Sequence, residues 1–346
     1  MTIREIARLA GVSPSAVSIV LNGRKGVSEE TRRHVQGVID KYAYEVPRRH
    51  KKNDRLKLIL IKYRAHGMGI EENQGFIASI VDQMESECRK YGFDLLMCNC
   101  NPDTAEEIIK GLMLSPPDGV IFIATEMPRS DYPLLDGFKC PVVVLDNGIR
   151  YKNVDSVVMD NEEIALTATR YLYSLGHRQL SYFKTAQRMH NCDERFEGFC
   201  RAMEEMGLKA QATVLLTPTL NGAYQDMKRL LKSGEFVPKG AAMADNDTIA
   251  IGAIRALQEM GYHVPGDISV IGVDDIPFSA VSMPALTTMR ISRTTLGVLA
   301  VDTIRKRLQY PAWPGVHTRV VGKLVVRNST REATPGNPPK DGIPKG

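Results

Sequence analysis

The chain has 346 residues, of which 25% are charged and 43% hydrophobic, with a net charge of +5. That length suits a small module plus a body of two lobes, each large enough to bury its own core. No window approaches the roughly 18 unbroken apolar residues of a membrane span, and Arg4, Glu5 and Arg8 interrupt the N-terminus before a secretion-signal core could form, so a cytoplasmic protein is expected.

The charge is unevenly placed. Residues 1–57 carry 13 Lys and Arg against 6 Asp and Glu, a net +7, which leaves −2 for the remainder. A basic head on a near-neutral body points to a polyanion bound at one end; a solvated basic surface is the plain alternative. The six cysteines lie at 88, 98, 100, 140, 192 and 200. Cys98 and Cys100 form C-x-C with no His beside them and no second pair at finger spacing. They read as reduced buried thiols, and neither a metal nor a cofactor is expected.

In chain order, Thr2 and Glu5 form a capping box. Ile3, Ile6, Ala7 and Ala10 then make one apolar stripe. Gly11 can take the positive φ that ends this helix. Ser13 is a second N-cap, with Pro14 at the first helical position. Ala16, Val17, Val20 and Leu21 form the inner face of the second helix, which stops at Asn22-Gly23. Ser28 caps a third helix with Glu29 and Glu30 in its first turn and Val35, Val38, Ile39 and Tyr42 inward. Two short helices joined at a glycine, closed by a third, make a helix-turn-helix; a plain three-helix protein-binding bundle is the alternative. The outer face of the second helix is Pro14, Ser15, Ser18, Ile19 and Asn22, small enough for a deep seat in the major groove.

The stretch TIREIARLAGVSPSAVSIVLNG (2–23), followed by VSEET (27–31), resembles the head of the lac repressor (LacI/GalR) family. The resemblance implies that Thr2, Ser13, Asn22, Ser28 and Thr31 face phosphates, and that Pro14, Ser15, Ser18 and Ile19 face bases. Family members usually carry Arg where this chain has Ile19. Arg can bridge guanine O6 and N7, whereas Ile suits a thymine methyl, so T or A is expected at that operator step.

Val46 and Pro47 end the head, and Arg48, Arg49, His50, Lys51 and Lys52 follow. The family's hinge stretch, with its leucine wedge for the minor groove, is absent. This shortened basic linker, 47–57, either tracks phosphates through Arg48 and Arg49 or is a charged tether.

From 58 to 330, apolar strands alternate with amphipathic helices. Strand segments are LILIK (58–62), DLLM (94–97), GVIFIA (119–124), PVVVL (141–145), SVVM (156–159), LSYF (180–183), VLL (214–216), AAMA (241–244), ISVIG (268–272) and TTMR (287–290). Helices are read at 76–90, 161–175, 195–206, 223–232, 247–260 and 294–308. The pattern predicts an α/β body of two doubly wound parallel-sheet lobes, with a ligand in the crevice past the strand C-termini. It also resembles the family's periplasmic-binding-protein-like body, through LGHRQL (175–180), RFEGF (195–199), ADNDTIAIGAIRAL (244–257), PGDISVIGVDDI (265–276), PALTT (284–288) and LVVRNS (324–329). Residues 331–346, with four Pro and three Gly, are expected to be a disordered tail.

The resemblance places Asp146, Arg195, Asn246 and Asp274 in the effector cleft, with Phe76, Thr125, Leu220 and Arg293 lining the rest. Carboxylates for vicinal hydroxyls, a guanidinium fork, an amide and an aromatic face together suit a sugar or similar metabolite. Arg293 stands where an aromatic or apolar residue is common, so an anionic sugar derivative is the sharper expectation. The segment RAHGMGIEEN (64–73) is longer than the usual connection and reads as a cap on the cleft or a surface loop.

No nucleophile–base constellation, P-loop or metal-hydrolase motif is present, so an enzyme is not expected. The expected protein is an effector-responsive repressor that binds double-stranded operator DNA as a homodimer. The alternative is a solute-binding protein without a DNA role.

Overall fold

The computed structural model describes residues 3–21, 26–42, 55–73, 75–149 and 153–333. The chain divides into two units, residues 1–55 and 56–346.

In the first unit, α1 spans Ile3–Leu9, α2 Pro14–Leu21 and α3 Glu29–Lys41. Gly11 adopts φ 62°, which lets the chain turn sharply between α1 and α2. Ser13 Oγ accepts from Ala16 N at 3.2 Å, and Ser28 Oγ accepts from Thr31 N at 3.1 Å. Ile6, Ala7, Ala10, Val17, Val20, Val35 and Ile39 form one core. Tyr42, expected inward, is 42% exposed, because α3 ends before it.

The second unit has two six-stranded sheets. The first runs β11-β5-β4-β3-β1-β2, from β1 (Leu56–Tyr63), β2 (Phe93–Cys100), β3 (Gly119–Ile123), β4 (Val142–Leu145), β5 (Asp155–Met159) and β11 (His317–Val320). Its helices are α4 (Phe76–Tyr91), α5 (Ala105–Leu114) and α11 (Arg293–Gln309), with a 3-10 helix at Arg129–Gly137. The second runs β12-β10-β9-β8-β6-β7, from β6 (Leu180–Thr185), β7 (Thr213–Leu216), β8 (Gly240–Ala244), β9 (Ile268–Asp274), β10 (Thr287–Arg290) and β12 (Lys323–Val325). It carries α6 (Asn161–Ser174), α7 (His190–Glu205), α8 (Leu220–Ser233), α9 (Asp247–Glu259) and α10 (Pro277–Val281). All pairs are parallel except β10 with β12. β3, β4 and β9 are buried along their whole length, as strands covered on both faces must be.

The structure adds β11, β12, α5, α10 and the 3-10 helix to the expected elements. β11 (HTRV) and β12 (KLV) are short and partly polar, because they lie at sheet edges where one side stays open. α7 begins at His190, five residues before the expected start at 195. The tail also needs correction at its start: Ala333 N donates to Leu175 O at 2.7 Å, and Arg331 N to Ser269 Oγ at 3.1 Å, so 331–333 pack on the second lobe. Residues 334–346, and linker residues 43–54 with Arg48 and Arg49, lie outside the described residues. Cys88, Cys100 and Cys192 are buried, but Cys200 is exposed, and all six are free thiols.

The chain passes between lobes three times: after β5, after β10, and between β11 and β12. Arg307 fastens α11 and the approach to β11 onto the first lobe: its Nε and Nη2 donate to the two oxygens of Asp155, each at 2.7 Å, while Val316 N donates to the same carboxylate at 2.9 Å.

Candidate functional site

The C-terminal ends of β3, β4, β8 and β9 deliver Thr125, Asp146, Asn246 and Asp274 to the cleft between lobes. Asp146 and Asp274 sit at φ 63° and 115°, and Asp275 at φ 54°. Such backbone costs about 1–3 kcal/mol per residue and gathers at sites where a side chain must be aimed.

Thr125 Oγ1 donates to Asp146 Oδ2 at 2.7 Å. Asn73 Nδ2 donates to Asp274 Oδ2 at 3.2 Å, joining the two lobes. The other oxygen of each carboxylate, Asp146 Oδ1 and Asp274 Oδ1, is buried with no hydrogen-bond partner among the described residues. Burial pushes Asp146 up to about 6 and raises Asp274, although Arg195 opposes both shifts.

Arg195 is 2% exposed. Its Nε donates to Asn161 Oδ1 at 3.0 Å, its Nη1 to the Asp245 carbonyl, and its Nη2 lies 3.9 Å from Met159 Sδ. Asn161 Nδ2 in turn donates to buried Glu194 at 3.1 Å. Asp245 accepts hydrogen bonds from Tyr182 Oη at 2.5 Å and Thr185 N at 2.6 Å. Asp247 accepts from Ser279 Oγ and Ile276 N on one oxygen and Thr288 Oγ1 on the other, pinning the loop after β9. Burial and the nearby Asp274 carboxylate push it up to about 8 despite these donors.

Asn246 caps α9, its Oδ1 accepting from Ile249 N at 2.9 Å. Leu220 opens α8 and is half-buried. Phe76 opens α4 and is buried, with the Arg293 guanidinium 5.8 Å from its ring centre. Arg293 Nη1 donates to the carbonyls of Asp275 and Asp274 at 3.1 and 3.4 Å.

The segment 64–73 is folded over the cleft. Glu126 accepts backbone N–H groups from His66, Gly67 and Gly69 at 2.8, 2.8 and 2.7 Å. A Cβ on Gly69 would lie 2.7 Å from Met189 Sδ in the second lobe, so a larger residue there would require the Met189 side chain to move. Asn73, Glu126, Asp245, Asp247 and Asn161 were not singled out in the sequence. The ADND run and the unusual length of 64–73 were the signals available.

On the head, Ser13, Pro14, Ser15 and Ser28 are exposed, and Ser18, Ile19 and Thr31 are half-buried. The Ile19 side chain lies toward Gly26, where a Cβ would meet Ile19 Cδ1 at an ordinary contact distance of 3.5 Å. Thr2 and Asn22 lie outside the described residues. Among the described residues, no group of His, Cys, Asp or Glu could hold a metal ion, and no helix is long and apolar enough to cross a membrane.

Residues 2–46 match the family model "Bacterial regulatory proteins, lacI family", and 169–330 match "Periplasmic binding protein-like domain". The chain is 32% identical to the HTH-type transcriptional repressor PurR of Actinobacillus pleuropneumoniae serotype 3 (strain JL03), over 94% of this chain and 98% of that one. It belongs to the lacI family of bacterial regulatory proteins. PurR of Glaesserella parasuis serovar 5 (strain SH0165) is 31% identical, over 95% and 98% of the two chains. The family fixes the class of activity: transcription regulation through a helix-turn-helix, in a family of regulators rather than of enzymes. Among solved structures, the chain is similar to the transcriptional regulator CelR–cellobiose complex, with a TM-score of 0.70 and 25% identity over 95% and 99% of the two chains. The lac repressor dimer bound to operator and the anti-inducer ONPF shares the fold, with a TM-score of 0.72 and 22% identity over 96% and 99%.

Proposed function

We propose that this repressor binds a double-stranded operator as a homodimer in the cytoplasm and is switched by a sugar or sugar derivative in the cleft. The observation that carries the effector reading is the pair of buried, unpartnered oxygens on Asp146 and Asp274. Leaving two such acceptors without donors is costly, and ligand hydroxyl or amine groups would satisfy them. Around them Arg195, Asn246, Thr125, Phe76, Leu220 and Arg293 complete a lining of polar groups with one aromatic face. The operator and ligands named for the lac repressor and CelR structures support the same division of labour.

The DNA contacts follow the helix-turn-helix. Pro14, Ser15, Ser18 and Ile19 of α2 read bases, while Thr2, Ser13, Asn22, Ser28 and Thr31 meet phosphates, and Arg48 and Arg49 add salt-sensitive affinity. A solute-binding protein without a DNA role is not favoured, since 2–46 match a regulator head.

The anionic-effector expectation changes. Arg293 donates to two carbonyls and lies over Phe76, while the cleft's unpartnered groups are carboxylate oxygens. Ligand binding would alter how the two lobes close, and so the presentation of two heads to one operator. An electrophoretic shift of genomic fragments by the full chain, with and without small molecules extracted from its host, tests this. Fragments that never shift would remove the repressor reading.

A further inference from the structure

We infer that the cleft ligand carries a protonated amine, as an amino sugar does, with its ammonium facing the free oxygens of Asp146 and Asp274. This rests on the cleft being the effector site, and it adds the ligand's charge.

The argument is one of donors and acceptors. Asp146, Asp245 and Asp274 are three carboxylates, 4%, 0% and 1% exposed, clustered about one buried guanidinium. Asp245 is satisfied by Tyr182 and Thr185. Asp146 and Asp274 each have one oxygen occupied by a neutral donor, Thr125 Oγ1 and Asn73 Nδ2, and one oxygen without a partner.

The cations nearby are already engaged. Every two-nitrogen edge of the Arg195 fork contains a nitrogen that donates to Asn161 or to the Asp245 carbonyl. Arg293 donates to main-chain carbonyls. An incoming phosphate or carboxylate would therefore meet carboxylate oxygens before it met a free fork. Neutral hydroxyls could fill the hydrogen bonds but would bring no positive charge to three buried carboxylates that face two guanidiniums, Arg195 and Arg293. An ammonium supplies three donors and a positive charge together.

Burial raises both carboxyls, Asp146 to about 6, with Asp274 and Glu194 adding to the shift at Asp146 and Arg195 and Thr125 opposing it. A bound cation would favour their ionised forms, so amine affinity should rise as pH climbs through about 6.

The test uses the full chain in thermal-shift and calorimetric titrations near neutral pH. The probes are glucosamine, galactosamine and mannosamine, each beside its neutral parent sugar and the parent's 6-phosphate. The expected result is that at least one amino sugar binds about tenfold or more tighter than its parent. That preference should disappear in both Asp146→Asn and Asp274→Asn, whose own melting temperatures report folding. Binding of a neutral or phosphorylated sugar as tightly as its amine, or no binding by any of the three amines, would overturn the inference. If such a neutral or phosphorylated ligand is lost in Asp274→Asn, the cleft remains the effector site and only the charge assignment fails. If binding survives both substitutions, the site reading fails as well.

Discussion

Asn73 Nδ2 reaches from the loop of the first lobe to Asp274 Oδ2, the last residue of β9 in the second, at 3.2 Å. Asn73 is also within 3.5 Å of Thr248 Oγ1. One side chain therefore latches the lobes directly over the cleft. A hydrogen bond to a carboxylate contributes about 1.5–3 kcal/mol. Asn73→Ala should shift the closed–open balance toward open by about tenfold or more, read as a larger radius of gyration in solution scattering. An unchanged scattering curve would show that closure does not depend on this latch.

Glu126 collects three main-chain N–H groups from 66–69. Glu126→Ala leaves buried donors unsatisfied, each costing about 1–3 kcal/mol. Amide exchange at His66, Gly67 and Gly69 should accelerate by at least about a hundredfold while β3 stays protected. Uniform acceleration through the lobe would mean that Glu126 supports the core rather than the loop.

Ile19 predicts base choice. Selection of binding sites from random DNA should return T or A at the step it faces. Ile19→Arg should move the preference to G, by about 1–3 kcal/mol. An obligatory G with the native residue would contradict the assignment.

Four buried carboxyls carry raised pKa values: Asp146 and Asp245 about 6, Asp247 about 8, and Asp274 also above the usual carboxylate range. Each binds its proton more tightly folded than unfolded. Their contribution is therefore greatest below the unfolded carboxyl range and is lost as pH rises through the folded values. Urea midpoints should fall from pH 6 to pH 8, and less steeply in Asp247→Asn. A rise over that interval would refute the shifts.

Arg307 and Asp155 are 14% and 3% exposed at their side chains and bond through two nitrogens. Removing one partner leaves a buried charge, at a cost of about 3–5 kcal/mol. Arg307→Ala should lower the denaturation midpoint accordingly, and a smaller loss in Arg307→Ala with Asp155→Ala would identify the pair as the cause.

Much of this architecture was legible in the sequence because burial on both faces forces strands such as GVIFI and ISVIGVD to be continuously apolar. Caps were equally plain, since Ser13 and Ser28 have few other reasons to precede Pro14 and Glu29. β11 escaped detection because an edge strand can be HTRV without penalty. Of the positions assigned to the cleft by resemblance, Thr125, Asp146, Arg195 and Asp274 are linked by a hydrogen bond or by mutual electrostatics, but their hydrogen-bond roles were not visible in the sequence. Whether Arg293 presents charge to a ligand or to main-chain carbonyls depends on a turn after β9 that only the fold reveals. Asn73 and Glu126 could not be chosen from a polar stretch without knowing which strand ends it crosses.

The return of the chain to the first lobe after β10 also constrains how the polypeptide emerges from the ribosome. The first sheet begins at Leu56 but lacks its β11 edge until Val320, and α11 reaches it only from Arg293 onward. The head can fold as soon as it is exposed, whereas the lobe that follows must wait, partly covered, for nearly the entire chain. Most of the second lobe, from Asn161 to Arg290, is contiguous and can mature in the meantime. Nascent chains halted before residue 293 should thus hold a finished head beside an unfinished neighbour, the species most in need of chaperone protection.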